Sequence, residues 1–362
     1  MDGMRHQTCQ VTRNDDMKVL VTGAGGFIGA WVAEYLHLTG LASPRLGVRN
    51  STALVRTSRF GMKDVAIVDV MDRQALENAL EGIDAVLHCA MIPPASESEA
   101  ARTIVEAMRA KGVRRLIYLS SIAVYGAAEG NLTEDTPLPT RVNPYAKGKQ
   151  DAERVLLSAK GIDVTLLRPS LVHGPYGKVW TENVARRVVS GRWGTLGKYG
   201  EGTCNLVYAP DVAEAMIACV ESPATIGKAY NLNGTEQVSW NAYWSRLSVL
   251  LTGKELPEID PRPVMRRARL LMPIRELGNF MLRRNRALVM NLYAANQMTR
   301  SVFKATEGNL KLFPSLEEME GYARVTRYIG DRLTADSGFT PRTSFEKATE
   351  LSAEWLRLIG VV

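Results

Sequence analysis

Between Lys18 and about Pro175 the hydrophobic pattern of the chain switches repeatedly between two periods. Short unbroken apolar runs alternate with stretches in which apolar residues recur every three or four positions, as expected of buried strands and of the helices packed on them. Residues 18–22 predict a first strand, and Trp31, Val32 and Leu36 carry the helix after it. Residues 45–49 predict the second strand, with a turn at Asn50-Ser51; a rival register places it at 53–55, ending in Arg56. A third strand at 65–68 runs out at Asp69-Val70, and a helix over 75–81 leads to a fourth strand at 85–90. A helix over 96–111 and a fifth strand at 115–120 continue the series. Strand and helix in strict alternation predict an α/β fold, a doubly wound parallel sheet with crossover helices.

The first turn of that series is Thr22-Gly23-Ala24-Gly25-Gly26-Phe27-Ile28-Gly29. Gly23 tolerates the positive φ of a sharp turn out of the strand. Gly26 lets the backbone approach a pyrophosphate, Gly29 lets the helix pack closely, and the helix N-terminus offers free N–H groups to the anion. The candidate contacts here are Gly23, Gly25, Gly26, Phe27, Ile28 and Gly29, the spacing being Gly-x-x-Gly-x-x-Gly. About twenty residues on, where an acid would accept from a ribose 2′-hydroxyl, the chain carries Arg49 followed by Asn50. An arginine there (Arg56 in the rival register) suits a 2′-phosphate, so NADP is the expected cofactor and NAD the alternative, with the arginine then stacked on adenine. Asp69 and Val70 are the candidates for the adenine, and Cys89, Ala90 and Met91 for the sheet edge under the cofactor. His88, in an apolar strand, reads as a core histidine.

Composition narrows the class. The chain has 362 residues, 46% hydrophobic and 23% charged, as in an ordinary globular protein. No apolar run is long enough to span a bilayer. Residues 1–16 are polar and read as a disordered extension without a secretory signal, with Met17 a second plausible start. Cys9, Cys89, Cys204 and Cys219 form no CxxC pair and the four histidines show no ligand spacing, so no disulfide framework and no metal site are expected, and the compartment expected is the cytoplasm. The net charge of +7 is concentrated: eight arginines and one acid lie between Arg262 and Arg286. So local a basic face suits a phosphate-bearing ligand, an anionic membrane surface or a solvated helix, and not a nucleic-acid duplex.

The chemistry is carried further along. Ser120-Ser121-Ile122-Ala123-Val124-Tyr125-Gly126 ends the fifth strand, and Asn143-Pro144-Tyr145-Ala146-Lys147-Gly148-Lys149 opens the next helix. Tyr145 and Lys149 share one helix face. A lysine charge about 4 Å away is worth about 4 kcal/mol at an effective dielectric near 20, enough to draw a phenol from about 10 toward 7. Such a phenol relays a proton to or from an alcohol while hydride moves to or from a nicotinamide, and Ser121 would hydrogen-bond the same oxygen.

With these motifs the chain resembles the extended short-chain dehydrogenases/reductases, specifically the NAD-dependent epimerase/dehydratase family. The likeness also runs through Leu167-Arg168-Pro169-Ser170-Leu171-Val172-His173-Gly174-Pro175, through Asn205-Leu206-Val207-Tyr208-Ala209-Pro210-Asp211 and through Gly338-Phe339-Thr340-Pro341-Arg342. It implies a Rossmann-type domain over 17–175 with a return segment at about 205–235. A smaller mixed α/β substrate lobe would be built from 176–204 and 236–362. It further implies Ser121, Tyr145 and Lys149 as catalytic residues, Leu119 and Ser120 together with Tyr145 and Lys149 as contacts of the cofactor, Pro169, Ser170, Leu171 and Val172 flanking the nicotinamide, a small-molecule substrate and a homodimer. The departures matter as much. Ile122 and Ala123 stand where family dehydratases carry an acid pair, which disfavours dehydration and weakens decarboxylation. Cys204 stands where an arginine grips a nucleotide diphosphate in many sugar-acting members, and the stretch between Ala90 and Arg115 is short. Two substrate readings follow: a sugar or nucleotide sugar, or a non-nucleotide hydroxyl compound such as a sterol-like or phenolic ketone. A non-catalytic cofactor-binding regulator is the rival from another class. Leu277, Met281, Leu288, Leu292 and Tyr293, at near-helical spacing, are open to core packing, a lid, a dimer face or an amphipathic surface segment.

Overall fold

The structure, a computed structural model, describes residues 17–284 and 314–362, with the side chains of 274–284 outside the description. The expected extension at 1–16 and the apolar positions Leu288, Leu292 and Tyr293 lie outside the described residues. The strands are β1 (Lys18–Thr22), β2 (Ser43–Val48), β3 (Val65–Ile67), β4 (Ala85–His88), β5 (Arg115–Leu119), β6 (Gly130–Leu132), β7 (Asp163–Pro169), β8 (Leu171–His173), β9 (Thr203–Cys204), β10 (Leu206–Tyr208), β11 (Lys228–Leu232), β12 (Val238–Ser239) and β13 (Thr326–Tyr328). Seven of them form one parallel sheet in the order β11-β7-β5-β4-β1-β2-β3.

The alternation of side chains along β1 divides the core. Val19 and Val21 join a cluster with Val32, Leu36 and Met216, whereas Leu20 joins one with Leu76, Ile104, Met108 and Leu156. Helices α1 (Phe27–Thr39) and α6 (Ala209–Glu221) therefore cover one face, and α2 (Arg73–Ala79), α3 (Glu97–Lys111) and α4 (Pro144–Leu157) cover the other. Burial on both faces explains why these strands read as unbroken apolar runs.

Two expectations change at the strand ends. The fourth strand stops at His88, not Ala90: Cys89 N–H makes a last bond to the Thr22 carbonyl at 3.1 Å, and Ala90 then packs against the glycine turn. The rival second strand at 53–55 is absent, because Asn50 accepts from Ala53 N–H at 3.2 Å and caps a 3₁₀ turn over Ser51–Leu54.

After β8 the chain builds α5 (Asn183–Val189), returns through β10, α6 and β11 to the sheet edge, and leaves again as α7 (Trp240–Thr252) and α8 (Pro261–Arg284). A third core of Trp193, Trp240, Tyr243, Trp244 and Tyr322 holds α5 and α7 with the later helices α9 (Leu316–Ala323) and α11 (Phe345–Leu358). Val264, Met265 and Ala268 pack α8 onto this core, leaving Arg262, Arg266, Arg267 and Arg269 exposed. The tail also returns to the sheet side. There β13 pairs with β6, and Asp336 on α10 (Asp331–Ser337) accepts from Lys228 Nζ at 2.8 Å and Tyr230 Oη at 2.6 Å.

Candidate active site

The glycine turn is built by exclusion. Gly23 has φ +71°, and a Cβ there would sit 2.6 Å from Ala90 Cα. At Gly29 it would sit 2.3 Å from the Gly23 carbonyl. Gly25 is closed by a neighbour that local sequence does not announce, the Ala53 carbonyl, at 2.3 Å. Gly26 is the open one: a Cβ would meet only the Gly23 carbonyl, at 3.1 Å. No side chain caps α1 and no acid lies in its first turn. An uncapped N-terminus beside an open glycine fits a pyrophosphate.

At the adenosine end, Arg49 is exposed directly after β2. Asn50 Oδ1 is occupied by Ala53 N–H and by Thr52 Oγ1 at 2.6 Å. Asp69 is exposed with Oδ1 on Met71 N–H at 3.0 Å, and Val70 is buried. Arg56 is not a free reader of phosphate. Its guanidinium lies 4.2 Å from the Trp31 ring centre and 4.1 Å from that of Tyr176, pairs with Glu34 at 3.0 Å and donates to the Phe27 carbonyl at 3.2 Å. Ile28 packs against the core on the α1 side.

At the other end, Cys89 and Ala90 are half-buried and Met91 is exposed. Burial pushes the Cys89 thiol up to about 12, against the pull of Lys149. Ser120 turns inward: its hydroxyl donates to Glu153 Oε1 at 2.6 Å, and its N–H is taken by the Leu167 carbonyl at 2.7 Å. Leu119 is buried, with its carbonyl on Lys149 Nζ. Pro169 ends β7, and Leu171 and Val172 lie half-buried in β8. Between them Ser170 is 6% exposed, and its Oγ has no hydrogen-bond partner among the described residues. A buried hydroxyl without a partner, at the expected nicotinamide position, fits the cofactor's amide.

Ser121 and Tyr145 come together. Ser121 caps the 3₁₀ turn Ile122–Tyr125, with Oγ accepting from Ala123 N–H at 3.1 Å, and its side chain lies near enough to the Tyr145 phenol to lower that phenol's pKa. Tyr145 follows Pro144 in the first turn of α4, whose start is capped by Asn143 Oδ1 on Ala146 N–H at 2.9 Å. The residue is 40% exposed.

Lys149 does not act on Tyr145 as expected. Its Nζ is paired with Glu97 Oε1 at 2.9 Å and donates to Tyr118 Oη and the Leu119 carbonyl, each at 3.3 Å. Tyr118 Oη donates to Glu97 Oε2 at 2.6 Å, and the Tyr118 ring stacks on His88 with centroids 5.0 Å apart. The phenol of Tyr145 is accordingly raised, not lowered: burial raises it most, the Ser121 side chain lowers it, and the Glu97 charge raises it again. Glu97 carries no warning in the sequence, because an acid in the first turn of a helix is common. His88 is a core residue, bonded to Thr22 Oγ1 at 2.9 Å and held neutral by burial, with its pKa at about 3.

In the lobe, Cys204 is fully buried in the aromatic core, so that position offers no grip on a diphosphate. A surface groove of about 350 Å³ is instead lined by Arg262, Arg266 and Arg267 with Asp260, Pro263 and Leu270.

The NAD dependent epimerase/dehydratase family matches residues 19–233. The N-acetyl-α-D-glucosaminyl-diphospho-ditrans,octacis-undecaprenol 4-epimerase of Escherichia coli O157:H7 is 27% identical over 262 residues, covering 68% of this chain and 76% of that protein. The human sterol-4-alpha-carboxylate 3-dehydrogenase, decarboxylating, is 26% identical over 264 residues, covering 67% and 68%. A solved UDP-glucuronic acid 4-epimerase from Bacillus cereus, in complex with NAD, superposes over 95% of this chain and 99% of that one, with a TM-score of 0.69 at 18% identity. With a parallel sheet under an uncapped glycine turn, and a family match over residues 19–233, this enzyme chain belongs to the NAD dependent epimerase/dehydratase family.

Proposed function

We propose that the protein transfers hydride at a secondary alcohol or ketone of a sugar or nucleotide sugar, as an epimerase or reductase, with NADP as its preferred cofactor. The carrying observation is the part-exposed Tyr145 phenol at the start of α4, with the Ser121 side chain near enough to lower its pKa. Bound nicotinamide supplies or accepts the hydride. Tyr145 holds and moves the proton at the substrate oxygen, Ser121 orients that oxygen, and Lys149 sits one turn below. Ile122 and Ala123 have no proton to give or take, which supports oxidoreduction or epimerisation over loss of water. Exposed Arg49 supports the 2′-phosphate, and the arginines of α8 are candidates for a phosphate-bearing substrate. The buried Cys204 favours a second reading, reduction of a non-nucleotide ketone of sterol-like or phenolic type.

The test screens UDP- and dTDP-hexoses alongside cyclic ketones, with product followed by chromatography. Tyr145→Phe is expected to lower turnover by about 10²–10⁴ while leaving cofactor binding intact. Unchanged turnover would falsify the proton role. Nicotinamide retained through purification supports epimerisation, because the hydride returns to the same molecule; an empty site supports a reductase. If no nucleotide diphosphate raises the melting temperature at saturating cofactor, the nucleotide-sugar reading falls, since a ligand at 100 times its Kd contributes about 2.7 kcal/mol.

A further inference from the structure

The ion pair of Lys149 and Glu97, on the helix that carries Tyr145 and its neighbour α3, has no part in the proton step described above, yet its polar atoms are all engaged. An ammonium has three donors. Those of Lys149 are taken by Glu97 Oε1, Tyr118 Oη and the Leu119 carbonyl. The second oxygen of Glu97 is held by Tyr118, and the carboxylate is 1% exposed. The other titratable or charged groups around it are quiet. On the β4 side His88 is kept neutral by burial and the Cys89 thiol is pushed up to about 12. On α4, Glu153 is fully engaged by Arg168 and Ser120. Tyr118, on β5, is raised well above the ordinary phenol range by burial and then by Glu97. The charge left to act on Tyr145 is that of Glu97, which raises the phenol, while Lys149 is paired with Glu97 at 2.9 Å.

We propose that Glu97 is a positioning residue that fixes Lys149 against β5, cancels its charge beneath Tyr145, and so biases the site toward donating a proton to a ketone rather than taking one from an alcohol. This rests on the reading of Tyr145 as the proton carrier. A lone lysine about 4 Å away would offer about 4 kcal/mol to a phenolate at an effective dielectric near 20; a carboxylate bound to that lysine removes much of it. In the reductive direction the carbonyl carbon takes a hydride from reduced nicotinamide and the carbonyl oxygen takes the Tyr145 proton. The phenolate then recovers a proton from solvent at its exposed edge.

The test reads the proton on Tyr145 directly, without a substrate. The full chain is labelled with [ζ-¹³C]tyrosine, the Tyr145 resonance is assigned by its loss in Tyr145→Phe, and its titration is followed in wild type, Glu97→Gln and Glu97→Asp. The wild-type phenol is expected to ionise above the ordinary tyrosine value of about 10. Glu97→Gln is expected to lower that midpoint by about one unit or more, a tenfold change in the equilibrium, and Glu97→Asp to stay near wild type. A Glu97→Gln midpoint equal to or above that of wild type overturns the proposal. Should Glu97→Gln not fold, a wild-type midpoint at or below about 10 overturns it instead. If Tyr145→Phe keeps full turnover, the proton role falls whatever the titration shows, so the two failures are distinguishable.

Discussion

Arg49 and Arg56 flank one short turn and carry the same charge, yet only Arg49 is left exposed, directly after β2. Arg56 is clamped between Trp31 and Tyr176 and paired with Glu34, itself 8% exposed. Tyr176 reaches it from a left-handed backbone (φ 70°), a conformation that costs about 1–3 kcal/mol and persists only where surroundings impose it. Here the imposing contacts are the Arg56 face and the Trp355 ring, 5.5 Å away. Arg56→Ala removes the clamp and leaves Glu34 with Arg59 alone, at 2.9 Å. Its expected loss in urea unfolding is toward the lower end of the about 3–5 kcal/mol seen for broken buried pairs, with the NADP-to-NAD affinity ratio unchanged. Arg49→Ala should do the reverse. Stability stays within about 0.5 kcal/mol, as for surface substitutions. NADP affinity falls by about tenfold or more, the worth of a charged hydrogen bond of about 1.5–3 kcal/mol, and NAD affinity barely moves. Calorimetric titration with both cofactors decides; equal losses for the two would refute the assignment of Arg49.

The helix that presents Tyr145 is legible at its start and illegible along its inner face. Asn143-Pro144 announces a capped N-terminus, and the Tyr145–Lys149 spacing announces a shared face, because both signals are local. The same holds for the strand and helix alternation and for the glycine turn. What the sequence conceals are pairings across the fold. Gly148 is required because a Cβ would meet the Pro94 carbonyl at 2.5 Å. Gly25 answers to Ala53, and Lys149 to Glu97. Ser120 and Ser121 look equivalent at a strand end, but consecutive side chains diverge, so Ser120 turns to Glu153 within α4 and Ser121 to Tyr145 at its start. Glu153 also takes Arg168 through both oxygens, at 2.9 and 2.7 Å, and Arg168 continues to Tyr125 Oη at 2.8 Å. This network bolts α4 to β7. Glu153→Ala strands a guanidinium that is 4% exposed, for an expected loss of about 3–5 kcal/mol in urea unfolding. Replacing Glu153 and Arg168 together by apolar residues of matching volume should recover much of that loss. Equal instability of the single and double variants would contradict the account.

Across the whole molecule, two fully buried histidines couple the folded state to pH. His88 lies between Thr22 and Tyr118 in the sheet, and His173 lies beside Tyr208 and Tyr243 where the lobe meets the return segment. Burial holds both near pKa 3, and the Lys149 charge adds to the effect at His88. In the unfolded chain each titrates at about 6.5. Their folded pKa values are thus depressed, so the unfolded state binds protons that the folded state refuses. Stability is full above about 6.5 and is lost as pH falls from there toward 3. Between pH 7.5 and 5.5 each histidine removes about 1.4 kcal/mol, together about 2.7 kcal/mol, in a range where carboxylates with ordinary values of about 4 are still ionised. Urea unfolding at those two pH values measures the difference. His88→Asn, which keeps a polar partner for Thr22 and cannot take up a proton, should reduce the pH-dependent part by about half even if it lowers stability at both pH values. A wild-type midpoint independent of pH across that interval would show that neither ring is held neutral by burial in the folded protein.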